Sequence, residues 1–551
     1  MVRYILTPSD LDRLVPGINF IKKDDLRFII FKDGESLIIS KNHCKHNGGI
    51  FMEDIEEVNT VRCTRHGWKL NAKTLEYTSP PSCLTQQRLE TCRQADGSVE
   101  ILIDQRIEWL TPTKETLLPG ELTITYLSHA CVEIKAGTFR LITDPWILGP
   151  AFSRGWWSLH EPPPNSIQRI ASADAIYISH SHPDHLNLPT LYEVFKLNPD
   201  IRIYVGNLST PVFKNDFLKI GFTNITVVDL KTWIHPADSV HFMIVADTLV
   251  TNLDTYLLFE YKGHRIVNLV DCCNPEDLPA SCDVLLNDFA SGASAYPCLY
   301  EELYGKERVI ELVNSKRRSF LFKIKKHIDK LNPSVWIPFA GYFTEACNGD
   351  DDVRSLNIKN TPEEAIEFIE KKAWKPFPGG TYDIGLGVGE ISDGDYYKTS
   401  WQFEPYLSQL SRSLEFGEVG TLDGLQTYYD WAGFSSYNLG LHMIETTDDY
   451  KTVLHEYYVM FGGDRTVVSY SPPNTGIPIL RMRSRVSVLR DIYIRGYSWD
   501  NLMIGFNTRI WLSPDIFHYK FLHHFCHSLP ENPPQWNAPV PPSILDVISN
   551  L

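Results

Sequence analysis

Short apolar runs broken by turn residues fill roughly the first hundred positions, a pattern of half-buried strands. Phe28-Ile29-Ile30-Phe31, then Lys32-Asp33-Gly34-Glu35, then Ser36-Leu37-Ile38-Ile39 reads as strand, turn and strand of one β-hairpin. Val99-Glu100-Ile101-Leu102-Ile103 reads as a later strand. The pattern predicts a small all-β domain over residues 1–108. Proline and glycine then punctuate the chain from Thr111-Pro112-Thr113 to Leu118-Pro119-Gly120, which predicts a linker. A second domain, 119–385, follows. Its apolar strands at 123–127, 140–143, 175–179 and 266–270 each run into a polar group: Ser128-His129-Ala130, Asp144-Pro145, His180 and Asp271. After Asp288 comes a basic helical stretch with Lys316, Arg317, Arg318, Lys323, Lys325 and Lys326. Beyond residue 386 aromatic residues multiply, and strand and helix periods mix, as in Arg485-Val486-Ser487-Val488-Leu489-Arg490-Asp491-Ile492. This predicts an α+β region over 386–551.

Composition narrows the setting. At 551 residues the chain is too long for one core, and 43% apolar residues is ordinary globular content. A net charge of −16 argues against nucleic acid, whose phosphates require a basic face. No apolar run approaches the length of about 18 residues that membrane insertion needs. Met1-Val2-Arg3-Tyr4-Ile5-Leu6 lacks the features of a secretory signal. The 11 cysteines have no framework spacing, so a reducing cytoplasm is expected.

Two motifs carry chemistry. Cys44-Lys45-His46 and Cys63-Thr64-Arg65-His66 supply C-x-H and C-x-x-H, sixteen residues apart. That is the ligand spacing of a Rieske 2Fe–2S centre, in which two thiolates hold one iron and two imidazoles the other. Imidazole in place of thiolate raises the potential and makes a one-electron acceptor. Trp68 and Phe51 are placed to limit water. The competing reading is a zinc knuckle, although such knuckles usually pair like with like.

The second motif, His180-Ser181-His182-Pro183-Asp184-His185, follows an apolar strand and has the form H-x-H-x-D-H. It resembles the metallo-β-lactamase superfamily, which implies an αββα fold. Asp271 stands where that superfamily has its bridging aspartate. The usual further histidines are missing: Asp247 replaces one as a ligand, or His241 or His235 serves, and Trp336-Ile337-Pro338-Phe339 occupies the place of the last. Two histidines and a carboxylate with open positions suit ferrous iron and dioxygen, so His180, His182 and Asp271 are the expected core of the site. Asp184 and His185 are then a second metal pair or supporting partners, for one iron or two. His129 is read as supporting, and His518, His523, His524 and His527 as packing residues at helical spacing.

Several segments closely resemble the CMP-N-acetylneuraminate hydroxylase family: Gly149-Pro150-Ala151-Phe152-Ser153-Arg154-Gly155-Trp156-Trp157, Pro338-Phe339-Ala340-Gly341-Tyr342-Phe343, Phe403-Glu404-Pro405-Tyr406-Leu407 and Trp431-Ala432-Gly433-Phe434. The resemblance runs over nearly the whole chain. It implies hydroxylation of the N-acetyl methyl group of CMP-sialic acid with O2. Electrons would come from NADH through a reductase and cytochrome b5. The catalytic set would be His180, His182, Asp184, His185 and Asp271. On this view Arg154 pairs with a substrate phosphate or carboxylate, since guanidinium matches both bidentately. Trp156 or Trp157 stacks on the cytosine or sugar, and the 316–326 patch receives the acidic cytochrome. The alternatives are a metal-dependent lactonase or phosphodiesterase with a Rieske redox sensor, and a pure electron-transfer or scaffold protein.

Overall fold

A computed structural model describes residues 2–23, 26–44, 50–55, 57–64, 68–79, 81–103, 109–110, 113–208, 212–247, 254–273, 275, 277–345, 347, 349–394, 396, 418–473, 476–530 and 532–536. Among the described residues, the N-terminal part is built from three antiparallel sheets and one helical turn, Pro8–Asp12. Leu26–Asp33 and Ser36–Lys41 pair as the expected hairpin, with Ile30 opposite Ile39. Val99–Ile103 lies between Val2–Leu6 and Glu90–Arg93. A five-stranded sheet runs from Phe51–Glu53 through Thr60–Cys63, Lys69–Asn71 and Glu76–Ser79 to Pro81–Thr85.

The middle part is an αββα sandwich, with a β-rich core between helices. Its first sheet orders eight strands: Ile225–Val228, Arg202–Gly206, Ala175–Ile178, Phe139–Thr143, Cys131–Ala136, Leu122–Ser128, Thr381–Asp383 and Val388–Gly389. The last strand carries this unit past the expected boundary at 385. The second sheet orders Trp233–Ala237, Val240–Ala246, Thr255–Tyr261, His264–Val270, Val284–Asn287 and Val335–Pro338. Ile124, Tyr126 and Ile134 of one sheet share a core with Phe242, Met243 and Leu257 of the other. Strands buried on both faces read as continuous apolar runs, which is why Thr255–Tyr261 is buried throughout. Outside, the Leu188–Leu197 helix covers the first sheet through Leu191 and Val194. The Lys306–Leu331 helix covers the second through Leu321, Ile324 and Ile328.

That long helix corrects the expected docking patch. Arg317 donates to Glu364 at 2.7 Å and Lys325 to the Ile369 carbonyl at 3.1 Å. Lys316 donates to the Tyr296 carbonyl at 3.1 Å, and burial pushes its pKa down to about 8. Of the six cations, only Arg318 and Lys326 are exposed. The stretch is largely a packing surface, because its longer side chains cover neighbouring elements.

The C-terminal part has a five-stranded sheet, in the order Val467–Ser469, Val453–Met460, Gly440–Thr446, Ile479–Arg485 and Thr508–Ser513. The mixed pattern at 485–492 resolves into the end of one strand and the Val486–Arg495 helix. Trp401, Phe403 and Tyr406 lie outside the described residues. Among the described residues no helix is long and apolar enough to cross a membrane.

A loop of the sandwich, residues 144–157, is inserted into the C-terminal core, and this overturns the three expected substrate contacts. Trp146, Phe152 and Trp156 belong to the same apolar cluster as Leu489, Trp499 and Phe506. Trp156 stacks on Phe343 at 3.6 Å and donates its indole N–H to the Ile504 carbonyl at 2.8 Å. Trp157 is buried and donates to the Arg154 carbonyl at 2.9 Å. Arg154 is only 1% exposed; its guanidinium forks onto Asp448 and bonds Ser487. The bidentate geometry expected of Arg154 is therefore met within the chain. Gly155 has no alternative, since a Cβ there would lie 1.9 Å from the Gly505 carbonyl oxygen. Arg154→Ala removes the buried guanidinium's pair with Asp448 and its bond to Ser487, and should destabilise the protein by on the order of 3 kcal/mol in denaturant unfolding. A variant as stable as the parent would return Arg154 to a ligand-binding role.

Candidate metal centre

Strand ends and one tight turn build the site at the rim of the sandwich. The Ala175–Ile178 strand delivers Ser179 and His180. The chain then folds back, with the amides of His185 and Leu186 donating to the His182 carbonyl at 2.9 and 2.7 Å. This brings the His185 ring to 4.1 Å from that of His180, centroid to centroid. Asp271 follows the His264–Val270 strand, and Val270 holds a φ of 48°, costly for a β-branched residue. His129 occupies the turn between Leu122–Ser128 and Cys131–Ala136, at a φ of 39°.

Two sets of donors converge: His129, Asp184 and His185; and His180, His185 and Asp271, with the ligand atoms of each set within 4.8 Å of one another. Asp184 Oδ2 lies 3.2 Å from His129 Nε2 and 3.3 Å from His185 Nε2. Asp271 Oδ2 lies 3.4 Å from His185 Nε2 and 3.8 Å from His180 Nε2. One imidazole nitrogen has one lone pair, so His185 Nε2 serves one ion at a time.

Asp144, at the end of the Phe139–Thr143 strand, orients the set. It accepts from the Ser179 amide at 2.7 Å and from the Ser179 hydroxyl at 2.8 Å. Its Oδ2 also lies 3.1 Å from His185 Nδ1. A carboxylate on Nδ1 places the proton there and turns Nε2 toward the other donors, the usual support of a metal-binding histidine.

Charge and solvation point the same way. Burial pushes His180 down to about 3, with His185 and His182 adding to the effect, so it is neutral and able to ligate. Burial works against a charged His185, but Asp184 and Asp271 hold it well above the usual histidine range. Burial would also raise Asp184, and His185 and His129 hold it well below the usual carboxylate range. Protons on imidazole here balance buried carboxylates, and a cation does the same by displacing them. Both ring nitrogens of His129, Nε2 of His185 and Oδ1 of Asp184 are buried and make no well-aligned hydrogen bond, the two Nε2 atoms having only the ion-pair contacts to Asp184 and, for His185, to Asp271. Buried polar atoms are seldom left so. Orphaned nitrogen and oxygen donors converging at metal-ligand spacing fit a bound transition metal.

The expected core of His180, His182 and Asp271 is thus corrected at one position. His182 joins neither donor set: its Nδ1 lies 2.9 Å from His180 Nε2, and its Nε2 lies 3.8 Å from Asp500 Oδ2. Burial opposes its charge, but Asp500 outweighs that and pushes its pKa up to about 9. By placement, His185 and not His182 joins His180 and Asp271 in the donor set. Asp247 is also corrected. Its carboxylate accepts from the Cys273 amide at 2.7 Å, and it joins neither donor set. His235 and His241 lie 2.6 Å from each other, also outside both sets. His129 was read as a supporting residue and proves to be a candidate donor. Its signal was the Ser-His-Ala turn at a strand end. Asp500 had no signal, because it comes from another region of the chain.

At the N-terminal site Cys44 and Cys63 are buried thiols in one apolar cluster with Phe51, Trp68 and Tyr77. His46 and His66 lie outside the described residues. Cys63 sits opposite Phe51 in the strand pairing, and its amide donates to the Trp68 carbonyl at 2.7 Å. The Tyr77 hydroxyl donates to Cys44 Sγ at 3.6 Å. Gln86 braces the approach to Cys44 by donating to the Lys41 and His43 carbonyls. The two thiols and their water-excluding shell suit an iron–sulfur cluster.

Residues 123–278 match the β-lactamase superfamily domain. The chain is 40% identical over 560 residues to the cytidine monophosphate-N-acetylneuraminic acid hydroxylase of Danio rerio, covering 96% of this chain and 94% of that protein. It is 38% identical over 574 residues to the protein of that name from Asterias rubens, covering 97% and 88%. It is 37% identical over 558 residues to the one from Mus musculus, covering 97% of each.

Asp144→Ala should weaken metal binding by about 10–100-fold in chelator competition. Asp247→Ala should leave it unchanged. The reverse pattern would move the site to Asp247.

Proposed function

The chain belongs to the cytidine monophosphate-N-acetylneuraminic acid hydroxylase family, and we propose that it carries out that family's reaction at the paired donor sets around His185. The observation that carries this reading is likeness to such hydroxylases over nearly the full length of both chains. The reaction converts the N-acetyl methyl group of CMP-N-acetylneuraminate to N-glycolyl, with O2 as co-substrate. Non-haem iron, one ion or two, would be held by His180, His185 and Asp271, with His129 and Asp184 beside them. Bound there, iron supplies the oxidising power that an unactivated acetamide C–H requires. Cys44, His46, Cys63 and His66 would hold a Rieske 2Fe–2S cluster that passes on one electron at a time. NADH would supply the electrons through a reductase and cytochrome b5, in the cytoplasm.

The chain's own groups do the preparatory work. Asp144 holds the Nδ1 proton of His185 and frees Nε2. Burial keeps His180 neutral. Asp500 Oδ2 faces His182 Nε2 at 3.8 Å, beside the donor set. Around the thiols, Trp68 and Phe51 exclude water. The Tyr77 hydroxyl places a hydrogen bond on sulfur, a recognised means of raising cluster potential.

Protein purified without oxygen should contain acid-labile sulfide together with more iron than that sulfide accounts for. Cys63→Ser should remove the sulfide and keep the remaining iron. With the native cluster, a reductant and O2 should yield CMP-N-glycolylneuraminate. Loss of all iron with the sulfide, or absence of this product, would contradict the reading.

A further inference from the structure

The C-terminal helix, Tyr519–His527, joins the two sites. One face anchors it: Phe521 and Phe525 are fully buried in the C-terminal core. On the same side His524 lies over Phe434 and 2.6 Å from the Ala432 carbonyl. Tyr519, His523 and His527 fall four residues apart and so share the other face. The packing role expected of the C-terminal histidines therefore holds for His524 and does not account for His523 and His527.

That second face makes a continuous series of contacts. Trp68, whose carbonyl accepts from the Cys63 amide, meets the Tyr519 ring edge-on at 5.8 Å between centroids. Tyr519 lies 5.6 Å from His523, and His523 lies 5.4 Å from His527. His527 Nδ1 is 4.0 Å from Asp500 Oδ2, and the same oxygen is 3.8 Å from His182 Nε2. His182 Nδ1 is 2.9 Å from His180 Nε2, within the donor set. Asp500 is fixed between the two imidazoles by the Ser498 hydroxyl, which donates to Oδ2 at 2.9 Å. From Tyr519 to His527 the helix advances about 12 Å. Electron tunnelling weakens steeply with every gap left by solvent, so a packed series of rings and hydrogen-bonding groups is the favoured path between two buried centres.

We propose that Tyr519, His523 and His527, continued by Asp500 and His182, form the route along which electrons cross from the thiol-bearing N-terminal unit to the metal centre. The proposal rests on the reading that a 2Fe–2S cluster occupies the first site and iron the second. Each crossing oxidises the cluster by one electron and reduces the metal centre by one, and no bond to the five side chains forms or breaks. Two crossings with O2, two protons and the substrate methyl give the hydroxymethyl group and one water. The five residues act as positioning residues for this transfer.

The test is stopped-flow spectrophotometry of the full-length protein, both centres loaded, the cluster reduced with dithionite, and CMP-N-acetylneuraminate present. Mixing with O2 should bleach the reduced-cluster spectrum quickly in the parent. The decay should slow by roughly tenfold or more in His523→Ala and His527→Ala, the scale on which partners of metal ligands act. His523→Phe keeps the ring contacts and should keep the parent rate. Hydrogen peroxide supplies both the oxygen atom and the two electrons, so product formed from peroxide with the cluster oxidised should be unchanged in every variant. Parent-rate decay in both alanine variants would overturn the proposal. So would loss of the peroxide-driven product, which would place the fault in the metal centre itself. A parent protein with no reduced-cluster spectrum would instead remove the reading on which the proposal stands.

Discussion

Carboxylates and imidazoles buried together, with little but one another to bond to, are the constraint around which this protein is organised. Removing either kind of group from water is costly unless its charge is matched nearby. Asp184, with 2% exposure, faces His129 and His185, and Asp271 faces His180 and His185. Two strand ends, a tight turn and Asp144 hold those groups against that cost. A cation placed among them satisfies the orphaned donors of His129, His185 and Asp184 at once.

The same constraint explains why the three parts of the chain are knitted together rather than strung on linkers. The 144–157 loop leaves the sandwich and is buried in the C-terminal core, through Trp146, Phe152, Arg154 and Trp156. The C-terminal part brings Asp500 to the edge of the site, 3.8 Å from His182 Nε2. The C-terminal helix then closes on the N-terminal unit, with Tyr519 against Trp68. Even the segment between the first two units is tied down: Lys114 bonds Asp283 at 2.6 Å, and the Glu115 amide donates to the Lys262 carbonyl. Rigid placement suits a buried metal centre whose donors must keep their spacing.

Much of this was legible in the sequence where local pattern decides structure. The hairpin at 28–39 and the strands leading into His180 and Asp271 follow from apolar runs and their polar ends; the sandwich was implied by the resemblance that the His180–His185 motif carries. What was not legible depends on side-chain direction and on partners distant in sequence. Spacing assigned His182 to the core with His180 and left His185 to a second pair with Asp184, whereas the fold places His185 with His180 and Asp271. Arg154 has the chemistry of an anion-binding group, and nothing local shows that Asp448 already satisfies it. His129 read as a supporting residue, because a single histidine in a turn carries no ligand spacing. In the C-terminal helix the histidine period was clear, but one period served two faces with different neighbours.

Anomalous diffraction at the iron absorption edge, from crystals of iron-loaded protein, tests the central claim most directly. The account predicts one signal beside Cys44 and Cys63, and a separate one enclosed by His185, Asp271 and the neighbouring donors. A signal on the far side of His182, or none within either donor set, would contradict it.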